Sequence, residues 1–161
     1  MPATYRLDLG NRVVWSRAWG VVTDAELQSH SRALARDPRF APDFRQLQDL
    51  TEVVEPRVTS AGLQALAELN PFGAGARRAV LVATDTMFGL ARMHELMRGD
   101  SCDALRVLRD RTAALAWLGL PPDWTPPRAA ATDPLFDVAL TPLHPNEPAA
   151  APSGVRPPRR E

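Results

Sequence analysis

The chain of 161 residues contains no lysine, so all 19 of its basic residues are arginine. We interpret this bias as the codon usage of a GC-rich genome rather than as selection for guanidinium chemistry. Acidic residues, also 19, balance the arginines, so the chain has no net charge at pH 7. Without a net positive field, nothing draws the protein to nucleic acid or to an anionic membrane surface. We expect neither as a partner.

Cysteine and long apolar runs are also scarce. Cys102 is the only cysteine, which excludes an intramolecular disulfide and a metal cluster built from several thiolates of one chain. No apolar run approaches the ~20 residues that a membrane-spanning helix needs, and the N-terminal residues lack the apolar segment of a secretory signal. The sequence therefore predicts a cytoplasmic protein with no membrane span, no metal and no cofactor.

The most strongly patterned stretch lies in the middle of the chain. Ala79–Ala83 is an unbroken apolar run with β-branched residues, which is typical of a parallel strand buried on both faces. Thr84 and Asp85 provide turn and helix-cap chemistry, and apolar residues then recur at helical spacing from Met87 to Met97. A buried strand followed by an amphipathic helix is half of a βαβ unit, so we expect parallel strands beside it.

A hairpin is predicted near the N-terminus. Alternating residues favour a strand over Tyr5–Leu9, and Gly10-Asn11 favours a two-residue turn. In the return strand, Arg12–Trp19, the indoles of Trp15 and Trp19 lie on one face. That face either packs against a helix or meets a ligand or a partner.

The rest of the domain alternates helices and strands. Thr23 and Glu26 form a capping box that begins the first helix. Phe44–Leu50 is expected to be a strand because it lies between helices, although the sequence offers no account of its polar residues. A loop is expected at Thr51–Val58. The remaining predicted elements are a helix over Ala61–Leu69, a strand over Leu105–Leu108, and a last helix capped by Asp110 and ended by Gly119.

The composition changes after residue 120. Eleven of the 16 prolines lie in Pro121–Glu161, where helical and alternating periodicity disappear. We therefore predict one domain over residues 1–120 and a disordered, proline-rich tail over residues 121–161. One apolar stretch in the tail, Leu135–Leu140, is either a docking motif or a segment that packs back on the domain.

The order of strands and helices resembles that of STAS domains, and more closely that of their SpoIIAA-like branch. The stretches that carry the resemblance are Gly20–Thr23, Phe44–Leu50, Ala76–Leu81, Phe88–Ala91 and Val107–Leu120, which contains Ala116-Trp117-Leu118. The resemblance implies an α/β fold in which a single STAS-like domain has a mixed four- to five-stranded sheet and about four helices. It also implies a regulatory or binding role without catalysis.

The resemblance draws attention to one serine. Some STAS-type anti-sigma factor antagonists are phosphorylated in an Asp-Ser-Ser-Gly-Leu motif at a helix start. The nearest stretch here is Thr59–Leu63, in which Thr59 replaces the aspartate and Ala61 replaces the phosphoacceptor. Ser60 remains a candidate phosphoacceptor, because a helix N-terminus stabilises a phosphate dianion. The alternative is that Ser60 only caps the helix.

The SpoIIAA-like branch is also similar to lipid-binding CRAL-TRIO domains, which implies an apolar pocket between sheet and helices. Methionine adapts well to irregular ligands, and apolar side chains line most ligand pockets. The candidates for this pocket are Trp15, Trp19, Met87, Phe88 and Met93. The alternatives are that these residues form a plain hydrophobic core, or that they meet a protein partner or a second copy of the chain.

An enzyme would need converging polar groups. Asp49 and Asp85 each follow a predicted strand, and open α/β folds place ligands at that edge of the sheet. Acid–base chemistry would require two of Asp49, Asp85 and His94 within hydrogen-bond reach. We instead predict a non-catalytic regulatory or ligand-binding module that acts through a protein contact or a small apolar ligand. The alternatives are a phosphorylatable anti-sigma factor antagonist and a carrier of lipid-like molecules.

Overall fold

Alternating polar and apolar segments form five strands and four helices in residues 3–128, the part of the chain that the computed structural model describes. None of these four helices has the length and apolar character needed to cross a membrane. The α/β class, the mixed sheet and the predicted order of elements are confirmed, and they match the architecture that the resemblance implied. In chain order the elements are β1 Ala3–Asp8, β2 Val13–Thr23, α1 Asp24–Arg36, β3 Arg45–Arg57, α2 Ser60–Glu68, β4 Arg77–Leu81, α3 Asp85–Met97, β5 Ala104–Leu108 and α4 Arg111–Leu118.

The strands follow one another across the sheet in the order β1-β2-β3-β4-β5. β1 and β2 form an antiparallel hairpin, and the other neighbours are parallel. Parallel neighbours need a crossover, which α1, α2 and α3 provide. We call the side of the sheet under α1, α2 and α3 the three-helix face and the opposite side the α4 face. Sheet residues of the three-helix face include Val14, Ser16, Gln46, Gln48 and Val80, and those of the α4 face include Val13, Trp15, Leu47, Ala79 and Leu81.

The strand predicted from the run Ala79–Ala83, β4, is buried on both faces as expected. Val80 and Val82 share an apolar cluster with Met87 of α3. Ala79 and Leu81 belong instead to the cluster that contains the buried side chains of α4. Burial on both sides explains why this stretch is an unbroken apolar run rather than an alternating one.

The hairpin turn is wider than predicted. Four residues, Leu9–Arg12, separate β1 from β2, because Asp8 is paired with Val13 in the sheet register. The two carboxylate oxygens of Asp8 accept hydrogen bonds from the backbone and side-chain nitrogens of Asn11, at 2.9 and 2.8 Å. These bonds stabilise a four-residue turn in place of the predicted two-residue turn, whose last residue, Arg12, has a φ of 52°.

The predicted loop at Thr51–Val58 is wrong, because β3 continues as a strand to Arg57. Its second half pairs with the second half of β2, which also runs beyond its predicted end. Pro56 is tolerated there because β4 pairs only with Gln46–Asp49, so this part of β3 is an edge that needs no further N–H donor. We call the two-stranded part formed by residues 19–23 and 51–57 the β2–β3 extension.

The helices begin near the predicted caps. In α3 the cap is Thr84 and not Asp85. Thr23 and Glu26 form the expected capping box of α1. α3 begins after Thr84, whose hydroxyl oxygen accepts the N–H of Met87 at 3.2 Å. Asp85 is therefore the first helical residue and not the cap. The predicted cap and C-terminal glycine of α4 are confirmed as Asp110 and Gly119.

The chain continues to pack on the domain after residue 120. Trp124 is 7% exposed and lies in the apolar cluster of the α4 face. Its indole N–H donates to Asp8 Oδ2 at 3.0 Å, and Arg6 Nη1 donates to the carbonyl of Pro127 at 3.0 Å. The body of the domain therefore extends beyond the boundary predicted at residue 120. Residues 129–161, which include the predicted tail segment Leu135–Leu140, lie outside the described residues.

Candidate functional site

Polar side chains from three neighbouring strands lie on the three-helix face. The register of β3 and β4 places Gln46 beside Arg78. The buried amide of Gln46 accepts a hydrogen bond from Arg78 Nε at 2.8 Å and donates one to Ser16 Oγ at 3.0 Å. These contacts supply the physical reason for a polar residue in β3, which the sequence alone did not provide.

Arg78 also belongs to a buried charged cluster. Its Nη1 donates to Asn70 Oδ1 at 3.0 Å and to Asp103 Oδ2 at 3.4 Å, and its guanidinium lies 4.4 Å from the centre of the Phe72 ring. Arg98, which follows α3, pairs with the other carboxylate oxygen of Asp103 and donates to its backbone carbonyl at 3.3 Å. We call Arg78, Arg98 and Asp103 the arginine cluster. Their side chains are at most 9% exposed.

The arginine cluster holds one more positive charge than negative charge. Burial lowers the pKa of Arg78 to about 10, a shift that Asp103 opposes and Arg98 reinforces. A pKa near 10 leaves the guanidinium charged at neutral pH. Asp103 is the only carboxylate among residues 3–128 that contacts either guanidinium. Within residues 3–128, one positive charge in the interior therefore has no partner of opposite sign.

An apolar crevice lies next to the arginine cluster, between the sheet and the helices of the three-helix face. Its volume is about 40 Å³. Gln48 and His94 are its polar lining residues. Its apolar lining comes chiefly from the sheet (Leu50, Val80), from α2 (Leu63, Leu66) and from α3 (Met87, Ala91).

His94 lies between the crevice and the arginine cluster. It shares one face of α3 with Met87 and Ala91, as helical spacing requires. Its side chain is buried, and Nδ1 has no hydrogen-bond partner. Burial, followed by the charges of Arg78 and Arg98, lowers the pKa of His94 to about 4. At neutral pH an uncharged imidazole therefore presents an unsatisfied nitrogen beside the crevice.

Of the five side chains predicted to line a pocket, only Met87 lines the crevice. Phe88 packs at the margin of the core, and Met93 is 39% exposed. Trp15 is buried on the α4 face, and Trp19 is partly exposed on the β2–β3 extension. These five residues therefore do not form one site.

The polar residues predicted at the strand ends are also separate. Asp49 Oδ1 accepts hydrogen bonds from the backbone and the hydroxyl of Thr51, at 3.1 and 2.6 Å. Asp85 is exposed and pairs with Arg109 at 2.5 Å. Among residues 3–128, no hydrogen bond joins any two of Asp49, Asp85 and His94. The same part of the chain contains no group of three or more His, Cys, Asp or Glu that is placed to hold a metal ion.

Ser60 is the exposed first residue of α2, and Thr59 is the residue that caps the helix. Thr59 Oγ1 accepts the N–H of Gly62 at 2.9 Å and donates to Asp24 Oδ2 at 2.6 Å. The other oxygen of Asp24 accepts the backbone N–H of Thr59 at 2.9 Å. A carboxylate therefore already occupies the N-terminus of α2, where a phosphate on Ser60 would meet its negative charge.

From the sequence we expected an apolar pocket between the sheet and the helices, but of the residues that line the crevice we named only Met87, and we did not predict the arginine cluster. Two local signals pointed to the crevice. Gln46 and Gln48 are two residues apart in a strand, so both amides lie on the same face. His94 follows Met87 by two turns of helix, so it lies on the apolar face of α3. No local signal indicated the contact of Arg78 with Asp103, because it joins residues from different strands and loops.

No protein-family model matches this chain, and no curated protein is significantly similar to it in sequence. Among solved structures, the chain is similar to an uncharacterized protein from the DUF3478 family with a SpoIIAA-like fold, from Shewanella loihica PV-4. The two share 16% sequence identity, and the TM-score is 0.49. The match covers 72% of this chain and 93% of that protein.

Proposed function

We propose that this protein is a non-catalytic binding module whose crevice admits a small apolar ligand. The observation that carries the proposal is an apolar crevice bordered by a buried nitrogen without a partner, Nδ1 of His94. Ligand sites in proteins are mostly apolar and use a few polar groups to orient the ligand. Gln48 and His94 supply such groups here.

The crevice must widen to accept a ligand, because about 40 Å³ is far below the ~300–1,000 Å³ of typical ligand sites. α2 is the wall best suited to move. It buries only Gly62 and Leu63, whereas α3 buries Met87, Ala91 and His94. An outward shift of α2 would widen the crevice without disturbing the sheet or the α4 face.

A protein contact is the second candidate, supported by the β2–β3 extension. Val54 is 83% exposed and Val21 is 41% exposed. Both point away from the core, because their neighbours Val53 and Val22 face it. Exposed apolar side chains on one surface are typical of interaction sites. The third candidate, a phosphorylatable antagonist, depends on Ser60, and the carboxylate at the start of α2 weighs against it.

The ligand proposal can be tested with the methionine methyl groups as reporters. Met87 lines the crevice, whereas Met93 is exposed on the same helix. Protein labelled with carbon-13 at the methionine methyls is titrated with octanol and followed by NMR. We expect a saturable shift of the Met87 signal and no shift of the Met93 signal.

A matched pair of variants checks the position of the site. Ala91→Met adds side-chain volume to the crevice and should weaken octanol binding about tenfold, because a filled site cannot accept the ligand without strain. Ala113→Met makes the same change on the exposed surface of α4 and should leave binding unchanged. A titration that moves no methyl signal would overturn the ligand proposal. Concentration-dependent sedimentation would then test the protein-contact candidate.

A further inference from the structure

We propose that the ligand of the crevice is an amphiphile with an apolar body and an anionic head group of the carboxylate type. This inference rests on the function proposed above and goes further, because it assigns the chemistry of the polar end of the ligand. Its basis is the charge of the arginine cluster and its position two residues along the sheet from the lining of the crevice.

The crevice and the arginine cluster are neighbours along the same two strands. Gln48 and Val80 line the crevice and are paired in the register of β3 and β4. Gln46 and Arg78 form the pair two residues earlier, about 7 Å away along the strands. His94 lies close to both regions, since it lines the crevice and the charge of Arg78 lowers its pKa. A head group beside His94 would therefore lie near the guanidinium groups.

The charge of the arginine cluster favours an anion. Two buried guanidinium groups, those of Arg78 and Arg98, share the single carboxylate of Asp103. A buried charge without a counter-charge is unfavourable, and a nearby opposite charge relieves that penalty. A bound carboxylate would balance the cluster, whereas a neutral head group would leave it unchanged and a cationic one would worsen the imbalance.

Two unsatisfied polar atoms belong to His94 and to the arginine cluster. Arg98 Nε and His94 Nδ1 are buried without hydrogen-bond partners. The side-chain amide of Gln48, which is half-buried, lines the crevice and can also donate to a ligand. A carboxylate only accepts hydrogen bonds, and it can receive them from the N–H groups of arginine and of glutamine.

The walls of the crevice define the rest of the ligand. Leu63 of α2 and Met87 of α3 are buried beside it, and Leu27 and Leu90 at its margin are partly exposed. A narrow space with aliphatic walls and an open side suits an unbranched alkyl chain that extends from the arginine cluster towards solvent.

Three unbranched probes of eight carbon atoms each separate this inference from the proposed function. Octanoate, octanol and octylammonium are titrated into the native protein, and the methyl signal of Met87 reports binding. We expect octanoate to bind about tenfold more tightly than octanol, and octylammonium more weakly than octanol. Equal affinities for octanoate and octanol would overturn the anionic head group and leave the proposed function intact. A Met87 signal that responds to none of the probes would overturn both.

Two variants change the charge of the arginine cluster in opposite directions. Arg98→Gln leaves Arg78 and Asp103 as a balanced pair, so the preference for octanoate over octanol should fall to about twofold or less. Asp103→Asn adds a second unpaired positive charge, so the preference should exceed that of the native protein. Arg92→Gln removes an exposed guanidinium from α3 and should retain the native preference.

An unchanged preference in both cluster variants would overturn the inference, and so would an equal loss of preference in the Arg92→Gln control. Thermal melts establish that each variant is folded. If a cluster variant unfolds, the three-probe comparison on the native protein decides the question, because it requires no substitution.

Discussion

The two faces of the sheet are built in different ways. The α4 face is filled by aliphatic and aromatic side chains, among them Leu47 and Trp124. The three-helix face takes in the polar side chains of Gln46 and Arg78 and borders the crevice. Within residues 3–128, three of the four buried side-chain atoms without a hydrogen-bond partner lie on the three-helix side. The fourth, Trp15 Nε1, lies on the α4 face.

This difference indicates that the two faces of the sheet have different roles. Closely packed apolar side chains stabilise the folded state because they remove apolar surface from water. Buried polar atoms without partners reduce that stability, and ligand sites are where such atoms are commonly found. We infer that the α4 face contributes more to stability and that the three-helix face is adapted to binding. The predictions below test each side of this comparison.

The largest effect is expected from a charge in the α4 face. Leu81→Asp places an unpaired carboxylate in the buried strand β4, at a cost above about 4 kcal/mol, which is comparable to the whole stability of many small domains. We expect the variant to be unfolded at room temperature by circular dichroism. Leu96→Asp makes the same change at a position that is 72% exposed and should melt like the native protein. A native-like melt of Leu81→Asp would contradict the burial of β4.

The next effect is a loss of stability in mild acid, and it arises on the three-helix face. Burial lowers the pKa of His30 and of His94 from the ordinary value of 6.5 to about 4. Between these pH values the unfolded chain binds more protons than the folded chain, so the free energy of unfolding falls as the pH falls through this window. The free energy of unfolding has its full value above pH 6.5. Each histidine accounts for about 3 kcal/mol at the acid end.

Urea unfolding between pH 7 and pH 4 measures the slope of the free energy of unfolding against pH. His30→Gln and His94→Gln should each remove about half of it, because glutamine does not titrate. Asp37 contributes in a separate and more acidic range, because hydrogen bonds from Arg39 lower its pKa to about 2. A double histidine variant that keeps the native slope would show that neither imidazole is buried in its neutral form.

A smaller effect is expected from the chain after residue 120. A protein that ends after Leu120 loses Trp124, which is buried on the α4 face, and should be less stable by about 3 kcal/mol. A protein that ends after Arg128 keeps this contact and serves as the matched control. Thermal melts of the two truncations and of Trp124→Ala compare them directly. If the shorter truncation is as stable as the longer one, the contact of Trp124 with the α4 face does not contribute.

Local patterns were sufficient to predict the elements whose structure depends on neighbouring residues. The run Ala79–Ala83 identified the buried strand, and Thr23 with Glu26 identified the start of α1. The second half of β3, which contains Pro56, was predicted as a loop. Its strand conformation depends on pairing with β2, which is a contact between distant parts of the chain. That contact leaves no mark in the local sequence.

The candidate site also has residues that local patterns predicted and residues that only the contacts of distant segments bring together. Met87 was predicted to line a pocket, and its helical position places it at the crevice. Trp15 was assigned to the same pocket because of its size, but strand alternation places it on the opposite face of the sheet. The arginine cluster was not predicted, since Arg78 and Asp103 meet only when β4 and β5 are side by side. Residue type indicated an apolar site, and topology determined which residues share it.

The smallest effects come from two helical glycines that differ in their surroundings. A methyl group on Gly62 would lie 1.9 Å from Asp24 Oδ1, whereas nothing lies within 4 Å of one on Gly89. Gly89→Ala should therefore stabilise the protein by up to about 1 kcal/mol, as alanine favours helix. Gly62→Ala should destabilise it by about 1–2 kcal/mol, because Asp24 must move away from the N–H and hydroxyl of Thr59. Urea unfolding measures both changes.

The glycine pair also tests whether α2 is the movable wall of the crevice. In an Asp24→Ala background the obstacle is gone, so Gly62→Ala should no longer destabilise. In the native background, Gly62→Ala weakens the link between α1 and α2 and should therefore make octanol bind more tightly, since less free energy is needed to open the crevice. Gly89→Ala lies on α3 and should leave octanol binding unchanged. If Gly62→Ala lowers stability without strengthening octanol binding, the crevice opens by some motion other than that of α2.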